Sequence, residues 1–456
     1  MFGKYIRIDN VSVNGRQIIF RFSCSRRLRK YFHSNTFYIE YDTAIDNVNK
    51  SLLTIPAVSV LIPIAWATGA NLYVEELDET YLRSLEKVKA VMKKWHPNFS
   101  FHTNIKAQKE IPNKFLNKDH GLLFSGGLDS TVSFIKNRVR KPHLISIFGF
   151  DIPTQKAALW KKIEGTITEF ANKEHVPVHF IKSNVMELLN DPLLNVEFGR
   201  CWWVRVSHGL TTIGLCAPLT AKSIGTILIA STRGPQHPGE IRYPLGSSPL
   251  IDEKISWADV RVIHDCYGLN RQQKIKHVLK PFIENEYHPI LRVCTDPLRQ
   301  DLNCNQCHKC LKTMTGLVLE GIDPNKCGFN MTDKTLTTLK QSFLNREYEV
   351  FEHDFVSPGF IWRTDELKDI QTEIPQSLNS NLYNSEQFFE WFRNFDLEKY
   401  GTEIEKRKSN QRLLRVLKWR LLGCAFTIKS FLPKTVQNKA NRLLTSSLNL
   451  IKPEYQ

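Results

Sequence analysis

The segment Ser125-Gly126-Gly127-Leu128-Asp129-Ser130-Thr131 follows a short apolar run, Leu122 to Phe124, and leads into a stretch of helical character. Strand, paired glycines and helix start make an anion cradle. Glycines let backbone N–H groups approach phosphate oxygens with no Cβ in the way, and the positive end of the helix faces the same point. Ser125 and Ser130 add hydroxyl donors, and Asp129 is placed to cap the helix and to hold a magnesium ion or its waters. The plainer alternative is a tight turn before a capped helix. The loop has no Gly-Lys-Ser/Thr ending and lacks three spaced glycines, which excludes a Walker A loop and a dinucleotide fingerprint.

A second constellation is Cys304-x2-Cys307-x2-Cys310, with Cys294 upstream. Four thiolates complete a closed tetrahedral zinc site of the structural kind, which leaves no position for a substrate. Cys327 and His308 are alternative ligands for one position, and a set of thiols without metal is the competing reading. Further polar groups fall near expected strand ends and helix starts. Arg200, Arg205 and His208 form one set, Ser231, Thr232 and Arg233 another, and Arg271 with Lys274 a third. Each is suited to phosphates or a substrate carboxylate, but surface arginines and a satisfied core histidine are commoner.

These groups need a scaffold. From Gly121 the rhythm is strand, loop, helix, strand, which predicts an α/β domain over 116–330 built on a parallel sheet with crossover helices. Its expected strands are Leu122 to Phe124, His143 to Phe150, Val178 to Lys182 and Thr226 to Ala230. Residues 1–115 read as a β-rich N-terminal domain, with strands at Ile6 to Val13, Gln17 to Phe22 and Phe37 to Tyr41 and a turn at Asn14-Gly15. A helix from Asp78 to Trp95 follows, and 102–118 reads as a linker. Residues 331–456 are mixed and end in a basic helical tail.

The chain has 456 residues and a formal net charge of +16. That charge is concentrated: from Glu403 onward there are roughly twelve Lys and Arg against three acids. In the tail Arg412, Arg415, Lys418 and Arg420 alternate with Leu413, Leu414, Val416, Leu417, Trp419 and Leu421, a pattern suited to a protein partner or an anionic surface, nucleic acid included, although a solvated helix packed on its own core is the commoner case. Ser51 to Val74 carries no charge, yet Pro56, Pro63, Gly69 and Asn71 interrupt it, so a buried strand-turn-helix is expected there and not a membrane span. Charges at Lys4, Arg7 and Asp9 argue against a signal peptide, and a reducing cytoplasm suits the cysteines.

The run Leu122 to Thr131 resembles the PP-loop of the N-type ATP pyrophosphatases, which include asparagine, GMP, NAD and argininosuccinate synthetases. With a four-cysteine motif following in order, residues 120 to 315 are similar to the 7-cyano-7-deazaguanine synthase (QueC) family, including longer members found in bacterial defence and polysaccharide gene clusters. The resemblance implies an adenine nucleotide α-hydrolase-like fold and cleavage of ATP to AMP and pyrophosphate through an adenylated small molecule or modified base. It implies nucleotide contacts from Ser125 through Thr131, catalytic roles for Ser125, Asp129 and Ser130, and Mg2+ and Zn2+ as cofactors. Alternatives from other classes are a degenerate PP-loop protein holding ATP as a structural or regulatory ligand, and a conjugating or nucleic-acid-associated defence protein.

Overall fold

Alternating apolar residues in β1 (Tyr5–Asn14) and β2 (Gln17–Cys24) form an antiparallel hairpin whose turn places Gly15 at φ +60°. A residue with a Cβ is strained there, so the glycine fixes the register. In the computed structural model, which describes residues 3–198, 201–232, 234, 245–296, 299–346, 365–377 and 381–404, this hairpin begins an 11-stranded mixed sheet. The other strands are β3 (Thr36–Tyr41), β4 (Asn71–Asp78), β5 (Ile105–Ile111), β6 (Asp119–Leu123), β7 (His143–Phe148), β8 (Val178–Ser183), β9 (Ile224–Ala230), β10 (Ser256–Trp257) and β11 (Val260–Asp265). Their order is β10-β11-β9-β6-β7-β8-β3-β2-β1-β4-β5.

The block β11-β9-β6-β7-β8 is parallel, as the strand–helix rhythm predicts. β9 and β6 are buried on both faces, and crossover helices such as Leu128–Asn137 and Ala157–Glu174 cover them. From β6 the chain steps to β7 and β8 on one side, then crosses to β9 and β11 on the other. The order therefore reverses between β6 and β9, and the carboxyl ends of those two strands are where such sheets form a ligand crevice.

The sheet runs unbroken past residue 115, because β3 pairs antiparallel with β8 through Ile39 and Ser183. Residues 102–118 also differ from the linker expected. They contain β5, which pairs with β4 at the sheet edge, and its alternation is masked because Lys106, Lys109 and Glu110 face solvent. Charged edge strands resist pairing with other chains.

The uncharged stretch forms a helix, Ile55–Thr68, that is buried at every residue and turns through Gly69 (φ +73°) into β4. The order is helix, turn, strand, the reverse of the expectation. Pro56 fits the first turn, whereas Pro63 leaves the Ser59 carbonyl without its helical N–H. Thr211 Oγ1 donates to that carbonyl at 3.5 Å, so a neighbouring helix repairs the gap that local sequence reads as a break. Among the described residues, no helix is long and apolar enough to cross a membrane.

Among the described residues, three apolar clusters make the core. The largest joins β1–β4 to the Ile55–Thr68 helix and to one face of β9 and β11. A second fills the other side of the parallel block, around Phe124, Phe134 and Leu228. The third joins Leu128 and Val132 of the loop helix to the cysteine module and to the C-terminal helices Lys334–Leu344, Asp365–Thr372 and Ser385–Arg393. The basic tail with Arg412, Arg415, Lys418 and Arg420 lies outside the described residues.

Candidate active site and metal centre

Ser125 to Gly127 leave the carboxyl end of β6 beside the β6/β9 crevice and enter the Leu128–Asn137 helix. Gly126 takes φ +72°, which bends the chain so that its N-terminal helical turn faces the crevice. Ser130 Oγ donates to the Gly127 carbonyl at 3.1 Å and lies 3.4 Å from Ser125 Oγ. Thr131 is buried behind them, its N–H bonded to the Gly127 carbonyl at 3.0 Å, and Leu128 anchors the turn in the core.

Asp129 does not cap this helix. The N-cap is Gly127, and the Asp129 carboxylate in the first turn holds two cations instead. Lys274 Nζ donates to Oδ1 at 2.8 Å and Arg271 Nη2 to Oδ2 at 3.0 Å. Both come from the helix start at Arg271–Lys274, which Asn270 and Gln273 close with a reciprocal capping box. The Lys274 side chain is fully buried and its ammonium also donates to the Ser231 carbonyl, bridging the ends of β6 and β9. Burial pushes the Asp129 carboxyl up, but Arg271 and then Lys274 outweigh it and hold it below its ordinary value. Each carboxylate oxygen thus accepts one bond from the facing helix, and the Asp129 side chain is 18% exposed.

Arg271 carries more donors than this pair uses. Its Nε and Nη1 are buried and have no partner among the described residues. A buried guanidinium with unused N–H groups is costly unless an anion completes it. Arg292 reinforces the opposite side of the loop: its N–H donates to the Gly126 carbonyl at 2.7 Å and its Nε to the Ser125 carbonyl at 2.8 Å. A Cβ at Gly127 would sit 3.3 Å from the Arg292 carbonyl oxygen, so the second glycine allows this close clamp.

Asp151, after β7, is 60% exposed and lies 3.6 Å from Arg292 Nη2. Its surroundings push its carboxyl up, yet Arg292, Lys309, His208 and Arg299 together hold it below its ordinary value. The arrangement is a positively lined crevice with one open carboxylate. Asp151, Arg292 and Arg299 carry no local motif and are visible only in three dimensions, whereas Lys309 lies inside the cysteine motif, where its spacing suggests that it offsets thiolate charge. His208 and Ser231 do reach this crevice, whereas Arg205 is buried and Arg200 and Arg233 lie outside the described residues.

The four predicted thiols converge. Cys294, Cys304, Cys307 and Cys310 place their sulfurs within 4.8 Å of one another. Separations of 3.5 Å (Cys307–Cys310), 3.8 Å (Cys294–Cys307) and 4.0 Å (Cys304–Cys310) match the edge of about 3.8 Å in a tetrahedron of 2.3 Å zinc–sulfur bonds. Asn305 at φ +62° turns the knuckle, and the N–H of Cys307 donates to Cys304 Sγ at 3.2 Å. Cys327 and His308 are not in this set, and burial pushes the Cys327 thiol up to about 12. The donor set suits zinc held for structure.

The metal centre and the loop are joined by one chain segment and by the charge of Lys309. Leu291 to Val293 lead from the Gly126 clamp directly to Cys294, and Asn303 Nδ2 and Oδ1 bond the Leu291 carbonyl and the Val293 N–H at 2.7 and 3.0 Å. Lys309, between Cys307 and Cys310, acts electrostatically on Asp129, Asp151 and His208. No family model, curated protein or solved structure matches this chain.

Proposed function

We propose that the chain is an ATP pyrophosphatase of the PP-loop kind, related to the 7-cyano-7-deazaguanine synthases, that adenylates a small molecule or modified base and releases pyrophosphate. The observation that carries this reading is the buried Arg271, whose unused Nε and Nη1 lie beside a glycine loop at the β6/β9 switch point. Leaving-group charge is the main demand of α,β-cleavage, and positioned donors meet it without reorganising. Here the loop amides, Arg271, Lys274 and Lys309 surround the place where that charge would develop.

Asp129 then acts as an anchor that fixes Lys274 and Arg271. Asp129, whose oxygens keep further lone pairs, is also the residue that would hold a magnesium ion or its waters, and that ion would offset phosphate charge. Zinc, held by the four cysteines, supplies rigidity and not chemistry. An acceptor carboxylate is already nucleophilic, so the first step needs no base.

The test is binding of ATP by calorimetry, followed by product analysis during a screen of carboxylates and modified bases. AMP and pyrophosphate should appear together, stimulated by the true acceptor. ADP and phosphate as products would refute the reading.

A further inference from the structure

Asp252 and His264 form a pair that the phosphate loop does not use. His264 Nδ1 lies 2.8 Å from Asp252 Oδ2, with side-chain exposures of 5% and 0%. The same Oδ2 accepts Ser247 Oγ at 2.7 Å. A Cβ at Gly209 would come within 2.4 Å of Asp252 Oδ1, so only a glycine lets the carboxylate lie there. A buried carboxylate so held makes Nδ1 the protonated nitrogen and leaves Nε2 as an acceptor. Nε2 has no partner among the described residues.

The pair's position matters as much as its chemistry. His264 is the penultimate residue of β11, opposite Ile229 of β9, and the next pairing, Asp265 with Ala230, leads to Ser231 at the crevice. It shares a sheet face with Val260 and Val262, which pack in the largest cluster, whereas Leu128 and Phe134 of the loop helix lie in the other two. Charge and acceptor groups thus approach the crevice from opposite faces. His208 is within electrostatic reach of both sides, of Asp151 and Lys309 and of Asp252 and His264.

We propose that Asp252 positions His264 as the proton acceptor for a second half-reaction, in which an amine or hydroxyl nucleophile attacks the adenylated acceptor. This rests on the adenylation reading above. The nucleophile's lone pair forms the bond to the activated carbon, the bond to AMP breaks with its electron pair leaving on the phosphate oxygen, and the nucleophile's proton passes to His264 Nε2. Neutral nucleophiles such as ammonia or an alcohol need such a base once the bond forms, unlike the carboxylate of the first step.

The experiment uses the full chain with 15N-labelled histidine, diethyl pyrocarbonate as an imidazole probe, and ATP. His264 should give the Nδ1–H tautomer and be carbethoxylated at Nε2, more slowly with ATP bound. Asp252→Asn should disturb the tautomer and slow modification by at least about tenfold, and both Asp252→Asn and His264→Asn should keep ATP affinity. An Nε2–H tautomer, or reactivity indifferent to Asp252→Asn, overturns the proposal. So does wild-type protein that binds ATP yet leaves His264 equally reactive. Wild-type protein that binds no ATP, with the tautomer as stated, overturns the adenylation reading instead.

Discussion

Asp129 holds two cations with one carboxylate, and its value to the site is the geometry it imposes on them. Removing it would free Lys274 and Arg271 from the loop and leave buried positive charge uncompensated. Asp129→Ala is therefore expected to lower turnover by at least about 100-fold, the scale of losing a charge-stabilising group. Unimpaired AMP formation in that variant would sink the assignment. Arg271→Ala should weaken ATP binding measured by calorimetry, since its Nη2 is bonded to Asp129 in the first turn of the loop helix while two buried donors stay unused, and unchanged affinity would place the phosphates elsewhere. A separate residue-scale effect comes from His143, whose Nδ1 lies 3.1 Å from His179 Nε2. Burial, reinforced by His179 and opposed by Asp119, holds the His143 imidazole below its ordinary 6.5. A depressed histidine favours the unfolded chain once protons are available, so stability is full above about pH 6.5 and is lost as pH falls through the lowered value. Melting temperature should drop on acidification below pH 6.5, and His143→Gln should flatten that drop. An unaltered slope would show that other groups control it.

At the scale of elements, the cysteine module works as a clamp on the Ser125–Gly127 loop. The Leu291–Val293 segment is tied at one end to Gly126 and Ser125 by Arg292 and at the other to the thiolate cluster at Cys294. Metal affinity in such a site is also folding free energy, so losing one thiolate loosens what the cluster holds. Cys307→Ser should lose one zinc per chain, lower the melting temperature and weaken ATP binding together. Elemental analysis that finds no zinc in wild-type protein prepared without chelator would remove the idea. Zinc loss with intact ATP affinity would instead show that the clamp stands without its metal.

The whole molecule is organised around shared cores. The C-terminal helices pack Phe343, Phe388, Phe389 and Phe392 into the cluster that also contains Cys310, Met314 and Leu128, and Lys312 pairs with Glu366 across it. Residues up to Ile404 belong to this layer, since Ile404 is buried and Glu403 pairs with Arg346. A truncation that spares the fold should consequently begin after Ile404, two residues beyond the charge boundary at Glu403. Deleting 405–456 is expected to leave ATP affinity and melting temperature unchanged, and to weaken association with anionic vesicles or a protein partner. Loss of ATP binding on that deletion would make the tail part of the nucleotide site.

Periodicity and spacing made much of this legible. Alternation in β1–β3, the strand–helix rhythm after Gly121, the glycine loop and the four cysteines are local patterns, and local patterns follow from backbone sterics and ligand spacing that neighbouring residues alone impose. The sheet joining both halves, the repair of Pro63 by Thr211 and the pairing of Asp129 with Lys274 are not local. Partners more than a hundred residues apart leave no spacing in the sequence. An isolated Lys274 or His264 reads as a surface or core residue, and burial beside a carboxylate is what gives each its chemistry. Residue types and local rhythm thus determined many of the elements and the candidate ligands, though not β5 or the helix–strand order of 51–74. Only the tertiary structure decided which charges meet, because long-range packing sets both the distance between them and the water they lose.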